Sequence, residues 1–264
     1  MVDIWNPDTF GLELLSLLRA ESQLVSDFYS EKDRLMKEHL NSSTYQSLKP
    51  NRFDPAFSSF KENNLTPVLT DTRIRVWHYT RLLDHEVEMM QQRLVPSSLD
   101  FLENRLQHLV EKGMFTKEEA DRVYQESPFH SQKELRSGRL WTVTLPLHCR
   151  DEGVLPLLEN WGGESAYSEL SDELLAAKLK RFGAPRVIEI ETSLSDRQNA
   201  FMASDTVLEA WAKSLGVSVA LTGCDLAITN CLCTAKLVRV LTEGERAFEE
   251  LAKTYPEGIS EKIN

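Results

Sequence analysis

The chain has 264 residues, 41% of them hydrophobic, and a formal net charge of -11 at pH 7. This apolar content suffices for a sizeable core in one large domain, or in one domain with an extension. A broad nucleic-acid-binding surface would need a basic excess, so the charge argues against one without excluding a local basic groove. No stretch approaches the roughly 20 apolar residues of a membrane span, and the N-terminus lacks the order of a signal peptide. We therefore expect a cytoplasmic protein that contacts no membrane.

Helical periodicity dominates the N-terminal part of the chain. Apolar residues at helical spacing, among them Leu14, Leu18 and Val25, predict a helix over residues 9–40. Asparagine, serines and two prolines then interrupt the pattern between Asn41 and Pro55. We assign residues 1–60 as an N-terminal helical extension and residues 61–264 as the main domain. The extension either packs on the core as ordinary structure or forms an arm that contacts a partner.

The segment Arg73–Leu82 begins as a strand, because Ile74 and Val76 alternate with the residues between them. Where this strand should end, His, Tyr, Thr and Arg follow one another directly. Side chains at strand ends are well placed for binding or chemistry. A helix over residues 84–94 follows, and Val95-Pro96 ends it.

The rest of the chain predicts a mixed α+β protein in which short strands dominate after residue 140. Two helices lie between Ser97 and Ser127, separated by Gly113, and the second starts with a capping box at Thr116-Lys117-Glu118-Glu119. Further helices are predicted over residues 155–160, 172–181, 204–215 and 245–254. Strands are predicted over residues 140–145, 186–191, 217–221, 226–228 and 237–241.

Signatures of several enzyme classes are missing from the sequence: no Gly-x-Gly-x-x-Gly, no Walker loop, no Gly-x-Ser-x-Gly and no His-Glu-x-x-His occurs. The spacing of Cys149, Cys224, Cys231 and Cys233 matches no common zinc site, so we expect reduced thiols, no metal and no disulfide framework. A hydrolase with an unrecognised triad stays open, since a chain of this length always contains scattered Ser, His and Asp.

Three polar clusters remain, and the first carries a family resemblance. The run Val76-Trp77-His78-Tyr79-Thr80-Arg81, followed by a helix and Arg93-Leu94-Val95-Pro96, resembles the first conserved block of ADP-ribosyltransferases of the His-Tyr-acid branch. That branch includes the poly-ADP-ribose polymerases, the tRNA 2′-phosphotransferases and the DNA-modifying bacterial toxins. Arg93 stands where the family usually has glycine.

The other two clusters extend this resemblance over roughly residues 73–250. The strand over residues 140–145 is followed by Gly162, Gly163 and Tyr167, which correspond to the second block. Asp225 heads a strand that precedes the last one, as in the third block, although the family more often has glutamate there. Glu189 or Glu191 is the alternative acid. The resemblance implies that residues 61–264 form a catalytic domain with a split antiparallel β-sheet core and flanking helices.

The resemblance also implies the chemistry, with NAD as the substrate. His78, Tyr167 and Asp225 would be catalytic, because a carboxylate near the ribose stabilises the positive charge that develops as the nicotinamide–ribose bond breaks. The implied binding residues are Tyr79, Thr80, Arg81 and Gly163. His78 and Thr80 would bind ribose hydroxyls, Tyr79 or Tyr167 would stack on the nicotinamide, and Arg81 or Arg75 would hold the pyrophosphate.

We therefore expect a mono-ADP-ribosyltransferase that modifies a macromolecular acceptor, either a nucleic acid or a protein. A toxin-like effector of the toxin–antitoxin or phage-defence type, controlled by an antitoxin or regulatory protein, fits the resemblance. The alternative is a catalytically inactive α+β binding module of the same fold. A basic stretch, Lys178, Lys180, Arg181 and Arg186, is either a solvated face or a contact for nucleic acid.

Overall fold

A computed structural model describes residues 1–41, 49–70, 72–194, 197–229, 234–251 and 253. Its contacts divide the chain into two compact units. The first comprises Met1–Arg75 and Ser193–Cys224, and the second comprises Val76–Thr192 and Asp225–Asn264. This division falls elsewhere than the predicted boundary after residue 60, because a later segment of the chain packs with the N-terminal helices.

The α+β character expected from the sequence is confirmed by the elements of the structure. The strands are β1 (Arg73–Leu82), β2 (Leu140–Val143), β3 (Ala184–Ser193), β4 (Asp225–Ile228) and β5 (Ala235–Thr242). The helices are α1 (Leu12–Ala20), α2 (Ser22–Leu40), α3 (Asp54–Phe60), α4 (Thr66–Thr70), α5 (Asp84–Gln92), α6 (Leu99–Glu111), α7 (Lys117–Gln125), α8 (Lys133–Arg136), α9 (Leu155–Glu159), α10 (Glu164–Tyr167), α11 (Glu173–Leu179), α12 (Arg197–Ser214) and α13 (Arg246–Glu249).

The first unit is helical, and α12 lies at its centre. The helix predicted over residues 9–40 is two helices, because Glu21 between them has a φ of -107°. α12 packs against α2 and α4, and its buried alanines, including Ala203, Ala210 and Ala212, let neighbouring helices approach closely. The N-terminal helices therefore share a core with α12, which favours the ordinary-packing alternative over a free arm.

The strand predicted over residues 217–221 is wrong, since residues 217–224 form neither helix nor strand. The carboxylate of Glu209 on α12 accepts hydrogen bonds from the backbone N–H of Thr222, at 2.6 Å, and from its hydroxyl, at 2.7 Å. The hydroxyl of Thr206 donates to the carbonyl of Thr222 at 2.6 Å. Side chains of α12 thus satisfy backbone groups that a neighbouring strand would otherwise pair.

The second unit is built on a five-stranded sheet in the order β4-β2-β1-β3-β5. The pairings of β1 with β2, β2 with β4 and β3 with β5 are antiparallel. β1 is the central strand, and Val76, Trp77 and Tyr79 are all buried, so both of its faces are covered. The polar cluster predicted where this strand should end lies within it, because β1 continues to Leu82.

A second layer of the same unit packs α6, α7 and α11 around one apolar cluster. The cluster contains residues from each helix and from the turn before α10: Leu102, Leu106, Leu109, Phe115, Ala120, Val123, Phe129, Trp161, Ala166, Leu175 and Leu179. The predicted capping box of α7 is confirmed, because the Thr116 hydroxyl accepts from the N–H of Glu119 while the Glu119 carboxylate accepts from the N–H of Thr116.

A buried carboxylate connects β1, α6 and the turn before α10. Glu86 is 2% exposed and accepts hydrogen bonds from the N–H of Leu83 at 2.7 Å, the indole N–H of Trp161 at 3.0 Å and the Arg105 guanidinium at 2.5 Å. Burial raises the pKa of the Glu86 carboxyl, but the Arg105 charge and these hydrogen bonds outweigh it and hold the pKa below its usual range. The group therefore remains ionised at neutral pH.

We expect Glu86→Gln to lower the free energy of unfolding by about 3–5 kcal/mol, because it leaves the Arg105 charge buried without a counter-ion. Urea unfolding at pH 7 measures this change. Because the folded-state pKa is lowered, the wild-type advantage over the variant is full above the unfolded pKa of about 4.3 and is lost as the pH falls through the folded value. Glu88→Gln, at an exposed position of the same helix, should cost little, and equal losses in both variants would contradict the assignment.

Gly183 lies where a turn approaches the end of β1. Its φ is +62°, and a Cβ there would lie 2.2 Å from the carbonyl oxygen of Leu82. We expect Gly183→Ala to destabilise the chain by about 3 kcal/mol or more, since the backbone must move. Gly138→Ala is the matched control: Gly138 has a φ of +73° but no atom within 4 Å of the added Cβ, so only about 1–2 kcal/mol of backbone strain is expected. Thermal unfolding of both variants checks the difference, and equal costs would rule out the clash.

Candidate functional site

His78 lies on the central strand β1, and one of its ring nitrogens is hydrogen-bonded to the neighbouring strand. Its Nδ1–H donates a hydrogen bond to the backbone carbonyl of Trp141 on β2, at 2.8 Å. A carbonyl oxygen only accepts, so this bond selects the neutral tautomer whose lone pair is on Nε2. Within the described part of the chain, His78 makes no other hydrogen bond, and the residue is half-buried.

The environment of His78 keeps the ring neutral. Burial lowers the pKa of the imidazole, the hydrogen bond to the Trp141 carbonyl raises it, and the charge of Arg105 lowers it, with a lowered pKa as the net result. A neutral imidazole with an Nε2 lone pair can accept a hydrogen bond from a hydroxyl or take a proton. These are the properties that binding a ribose hydroxyl would need.

Tyr79 and Arg81, the neighbours of His78, bind the chain's own backbone. Tyr79 is 3% exposed, and its hydroxyl donates to the carbonyl of Leu147 and accepts from the N–H of Leu147, each at 2.7 Å. The guanidinium of Arg81 donates to three carbonyls, those of Phe182 at 2.7 Å, Gly183 at 3.0 Å and Leu158 at 3.3 Å.

These bonds disagree with two of the implied roles. The Tyr79 ring is buried, and its hydroxyl both donates and accepts a hydrogen bond within the chain. The ring therefore offers no free face for stacking on nicotinamide. A guanidinium shared among three carbonyls does not present the planar fork that a pyrophosphate needs. The alternative arginine, Arg75, belongs to the first unit, where it forms an ion pair with Asp3 at 3.1 Å. Tyr79 and Arg81 therefore hold the loop after β2 and the turn before β3.

Thr80 and Gly163 are also constrained by the fold. Thr80 is buried on β1. Gly163 precedes α10 with a φ of +62°, and Gly162 before it has a φ of +87°, where a Cβ would lie 2.5 Å from that of Ala166. The paired glycines thus shape a tight turn that starts α10.

Tyr167 ends α10 and is half-buried against the apolar cluster of the second unit. Burial, followed by the charge of Glu164, raises the pKa of the phenol to about 12, against a lowering effect of Arg136. The hydroxyl therefore stays protonated at neutral pH and can donate a hydrogen bond.

A series of contacts runs between His78 and Tyr167 by way of α8. The indole N–H of Trp141, whose carbonyl binds His78, donates to the carbonyl of Leu135 on α8 at 3.3 Å. The next residue, Arg136, forms an ion pair with Glu164 at 2.8 Å, in the same short helix as Tyr167. The imidazole and the phenol thus lie on elements that α8 joins.

Asp225 is exposed at the head of β4, and the strand register relates it to β1. Trp77 pairs with Val143, and Val143 pairs with Asp225, so the Cα atoms of Trp77 and Asp225 lie two strand spacings, or about 10 Å, apart. Side chains alternate between the faces of a sheet. Asp225 therefore shares a face with Trp77, and His78, one residue further along β1, points to the opposite face. His78 and Asp225 are therefore one residue apart in the strand register, but their side chains lie on opposite faces of the sheet.

The other acids named in the sequence are paired or half-buried. Glu189 is buried on β3, where it binds Arg239, a partner on β5 that neutralises its charge. Glu191 is half-buried and lies opposite Lys236 in the register. Neither residue is exposed to solvent as Asp225 is.

The basic stretch after Ser171 is largely neutralised by carboxylates. Lys178 binds Glu119 at 2.6 Å, Lys180 binds Glu159 at 3.0 Å and Arg186 binds Asp84 at 2.5 Å. These pairings favour a solvated face over a contact for nucleic acid.

One surface residue escaped the sequence reasoning. Trp141 is 42% exposed on β2, between the buried Leu140 and Thr142. This strand is predicted from its β-branched and aromatic residues, and alternation groups Trp141 with Val143 and Leu145. That grouping predicts a buried indole, so the sequence pattern carries no signal of its exposure.

Comparison with models of known families, with curated proteins and with solved structures finds no match for this chain. Among the described residues, no group of three or more His, Cys, Asp and Glu is arranged to hold a metal ion. Cys149 and Cys224 form no disulfide within the described residues, and Cys231 and Cys233 lie outside those residues. No helix in the described ranges is both long and apolar enough to cross a bilayer.

We expect nitrogen-detected NMR to find His78 as the Nδ1–H tautomer, with a pKa below the ordinary value of about 6.5, because burial disfavours the imidazolium. His130 is the matched control, since its Nε2 binds the carbonyl of Tyr124 at 2.9 Å, which selects the opposite tautomer. His78→Ala assigns the resonance. An Nε2–H pattern at His78, or titration above the ordinary value, would contradict the site geometry.

Proposed function

We propose that this protein is a NAD-dependent mono-ADP-ribosyltransferase with a macromolecular acceptor. The observation that carries the proposal is the order and pairing of the strands. His78 lies on β1, Tyr167 follows β2, Asp225 heads β4, and β5 comes last, while β2 pairs with both β1 and β4. This is the layout that the resemblance to the His-Tyr-acid transferases implies.

In this proposal, His78 binds the ribose. Its Nε2 lone pair accepts a hydrogen bond from a ribose hydroxyl, because Nδ1–H is held by the Trp141 carbonyl. Tyr167, a protonated phenol at neutral pH, donates a hydrogen bond or lies against the nicotinamide ring. Thr80 and Gly163 act by shaping the site, since one is buried and the other starts a turn.

The proposed role of Asp225 is electrostatic and basic. The bond between the ribose C1′ and the nicotinamide nitrogen breaks, and nicotinamide leaves as a neutral molecule with the electron pair. The ribose acquires oxocarbenium character that a carboxylate stabilises. A nucleophile of the acceptor then bonds to C1′ and gives its proton to the carboxylate.

The biological setting belongs to the same proposal. The branch that the motifs resemble includes DNA-modifying toxins, which supports a toxin-like effector of the toxin–antitoxin or phage-defence type. Such an effector acts in the cytoplasm on a nucleic acid or a protein, and an antitoxin or regulatory protein restrains it.

A second candidate, a non-catalytic binding module of the same layout, is favoured by one observation. The register directs Asp225 and His78 to opposite faces of the sheet. A carboxylate on the far face from the imidazole would not stabilise charge on a ribose that the imidazole holds. The module would then bind its ligand and leave the glycosidic bond intact.

Release of nicotinamide from NAD⁺, measured on the full chain in the presence of cell lysate, separates the two candidates. A transferase releases nicotinamide, and His78→Ala and Asp225→Asn should each lower the rate by about 100-fold or more, since each removes a group that contacts the reacting ribose. Tyr167→Phe, which deletes only the hydroxyl, should have a smaller effect.

The matched control for this experiment is His130→Ala, which removes an exposed imidazole bonded to Tyr124 and should leave the rate unchanged. No release by the wild-type chain, together with calorimetric NAD⁺ binding that survives Asp225→Asn, would reject the transferase and support the binding module.

A further inference from the structure

The outer face of β2 and β4 carries an exposed indole beside an exposed carboxylate. Trp141 lies opposite Ala227, and Val143 lies opposite Asp225, so these four side chains share one face of the antiparallel pair. The intervening residues Leu140, Thr142 and Leu226 are buried on the other face.

The geometry of this face leaves the indole accessible. Trp141 and Asp225 are diagonal neighbours, at about 7–8 Å, and the residue directly opposite the indole is the small Ala227. The indole N–H donates to the carbonyl of Leu135 at 3.3 Å, which restricts the rotation of the ring. Leu135 is itself 59% exposed and adds apolar surface at this position.

A cation completes the set of groups. The guanidinium carbon of Arg139 lies 5.8 Å from the centroid of the Trp141 ring, within cation–π range. A flat aromatic ring, a carboxylate and a guanidinium are thus gathered along two short strands. Each matches one part of a nucleotide: the base, an amino group of the base and the phosphate.

We propose that this surface, formed by Trp141, Asp225, Arg139 and Leu135, binds one nucleotide of a single-stranded nucleic acid. The base stacks on the indole, the Asp225 carboxylate accepts a hydrogen bond from an exocyclic amino group, and Arg139 binds the adjacent phosphate. Base-on-aromatic stacking is the common means by which proteins hold single strands.

The shape of the surface favours a strand over a free dinucleotide. A free small molecule requires a concave site that encloses most of its surface, whereas Trp141 and Asp225 both lie exposed on the β2–β4 face. A strand gains affinity through further contacts of neighbouring nucleotides with the chain. With a net charge of -11 and the basic stretch paired with carboxylates, stacking supplies more of the affinity than phosphate contacts.

Binding of a strand at this surface does not depend on the proposed activity. In a transferase this surface would present the acceptor beside Asp225, and in a non-catalytic module it would be the ligand site. Binding is measured without NAD⁺, so loss of the proposed function in the nicotinamide assay leaves this test intact.

Tryptophan fluorescence of the full chain provides the test, because Trp141 is the most exposed of the five tryptophans while Trp77 and Trp161 are fully buried. Ten-nucleotide oligomers of adenosine, cytidine and uridine are titrated in separate experiments. We expect saturable quenching, weaker for the uridine oligomer because uracil lacks an exocyclic amino group. One phosphate contact predicts a shallow salt dependence, with a log–log slope of about 0.7 in magnitude.

The variants assign the binding to this surface. Trp141→Leu should weaken binding of the adenosine oligomer by at least about fivefold, and Trp141→Phe, which keeps a ring, should weaken it less. Because neither variant retains the Trp141 indole, binding to both is followed by the anisotropy of a labelled oligomer. Asp225→Asn should remove the preference for adenosine and cytidine over uridine. Leu174→Ala, at an apolar residue that is 85% exposed elsewhere in the unit, is the control and should bind like the wild type.

Three results would overturn the proposal. Equal affinity of the wild type and Trp141→Leu, with matching thermal midpoints, would exclude stacking on this indole. A steep salt dependence would place the binding on a different, basic surface. Quenching by NAD⁺ alone, abolished in Trp141→Phe, would assign the surface to the dinucleotide in place of a strand. If Trp141→Leu fails to fold, Trp141→Phe and Asp225→Asn are measured in its place. Unchanged affinity in Trp141→Phe, together with an unchanged nucleotide preference in Asp225→Asn, would then overturn the proposal.

Discussion

The packing of the second unit depends on the hydrogen bonds that stabilise the buried, ionised carboxylate of Glu86. An isolated buried carboxylate would cost several kcal/mol, and here an arginine, an indole and a backbone N–H offset that cost together. Because these donors come from α6, from the turn before α10 and from the end of β1, the charge makes three elements adopt one arrangement. A hydrophobic contact would tolerate a shift of an ångström, whereas hydrogen bonds between 2.5 and 3.0 Å do not.

The ion pair of Glu86 and Arg105 also influences the electrostatics of the candidate site. The guanidinium of Arg105, held by Glu86, lies 4.4 Å from the Trp161 ring centroid and lowers the pKa of His78 along with burial. Burial is the main cause of the lowered pKa of the His78 imidazole, and the cation that stabilises the fold adds to it in the same direction. Stability and the chemistry of β1 share one ion pair, so loss of Glu86 would affect both.

Residues of the polar cluster on β1 differ in role: some stabilise the fold, and His78 is available for binding. Tyr79 and Arg81 satisfy backbone groups of the loops around them, because a central strand is surrounded by turns whose carbonyls are shielded from water. The Nε2 of His78 makes no hydrogen bond within the described residues. Four adjacent hydrogen-bonding residues in a sequence therefore do not amount to four ligand contacts. The hydrogen-bond partners of His78, Tyr79 and Arg81 lie 63 to 102 positions away in the sequence.

Local pattern by itself determined the α+β class, the start of a strand at Arg73, the capping box at Thr116 and the glycine that ends α6, because these features depend on residues within a few positions of each other. The packing of α12 with the N-terminal helices, the irregular course of residues 217–224 and the pairing of Glu189 with Arg239 were decided only by tertiary structure. So were the relation of His78 to Asp225 and the exposure of the Trp141 indole. In each case the deciding partner is distant in sequence, and a change of one residue in strand register reverses which face a side chain occupies.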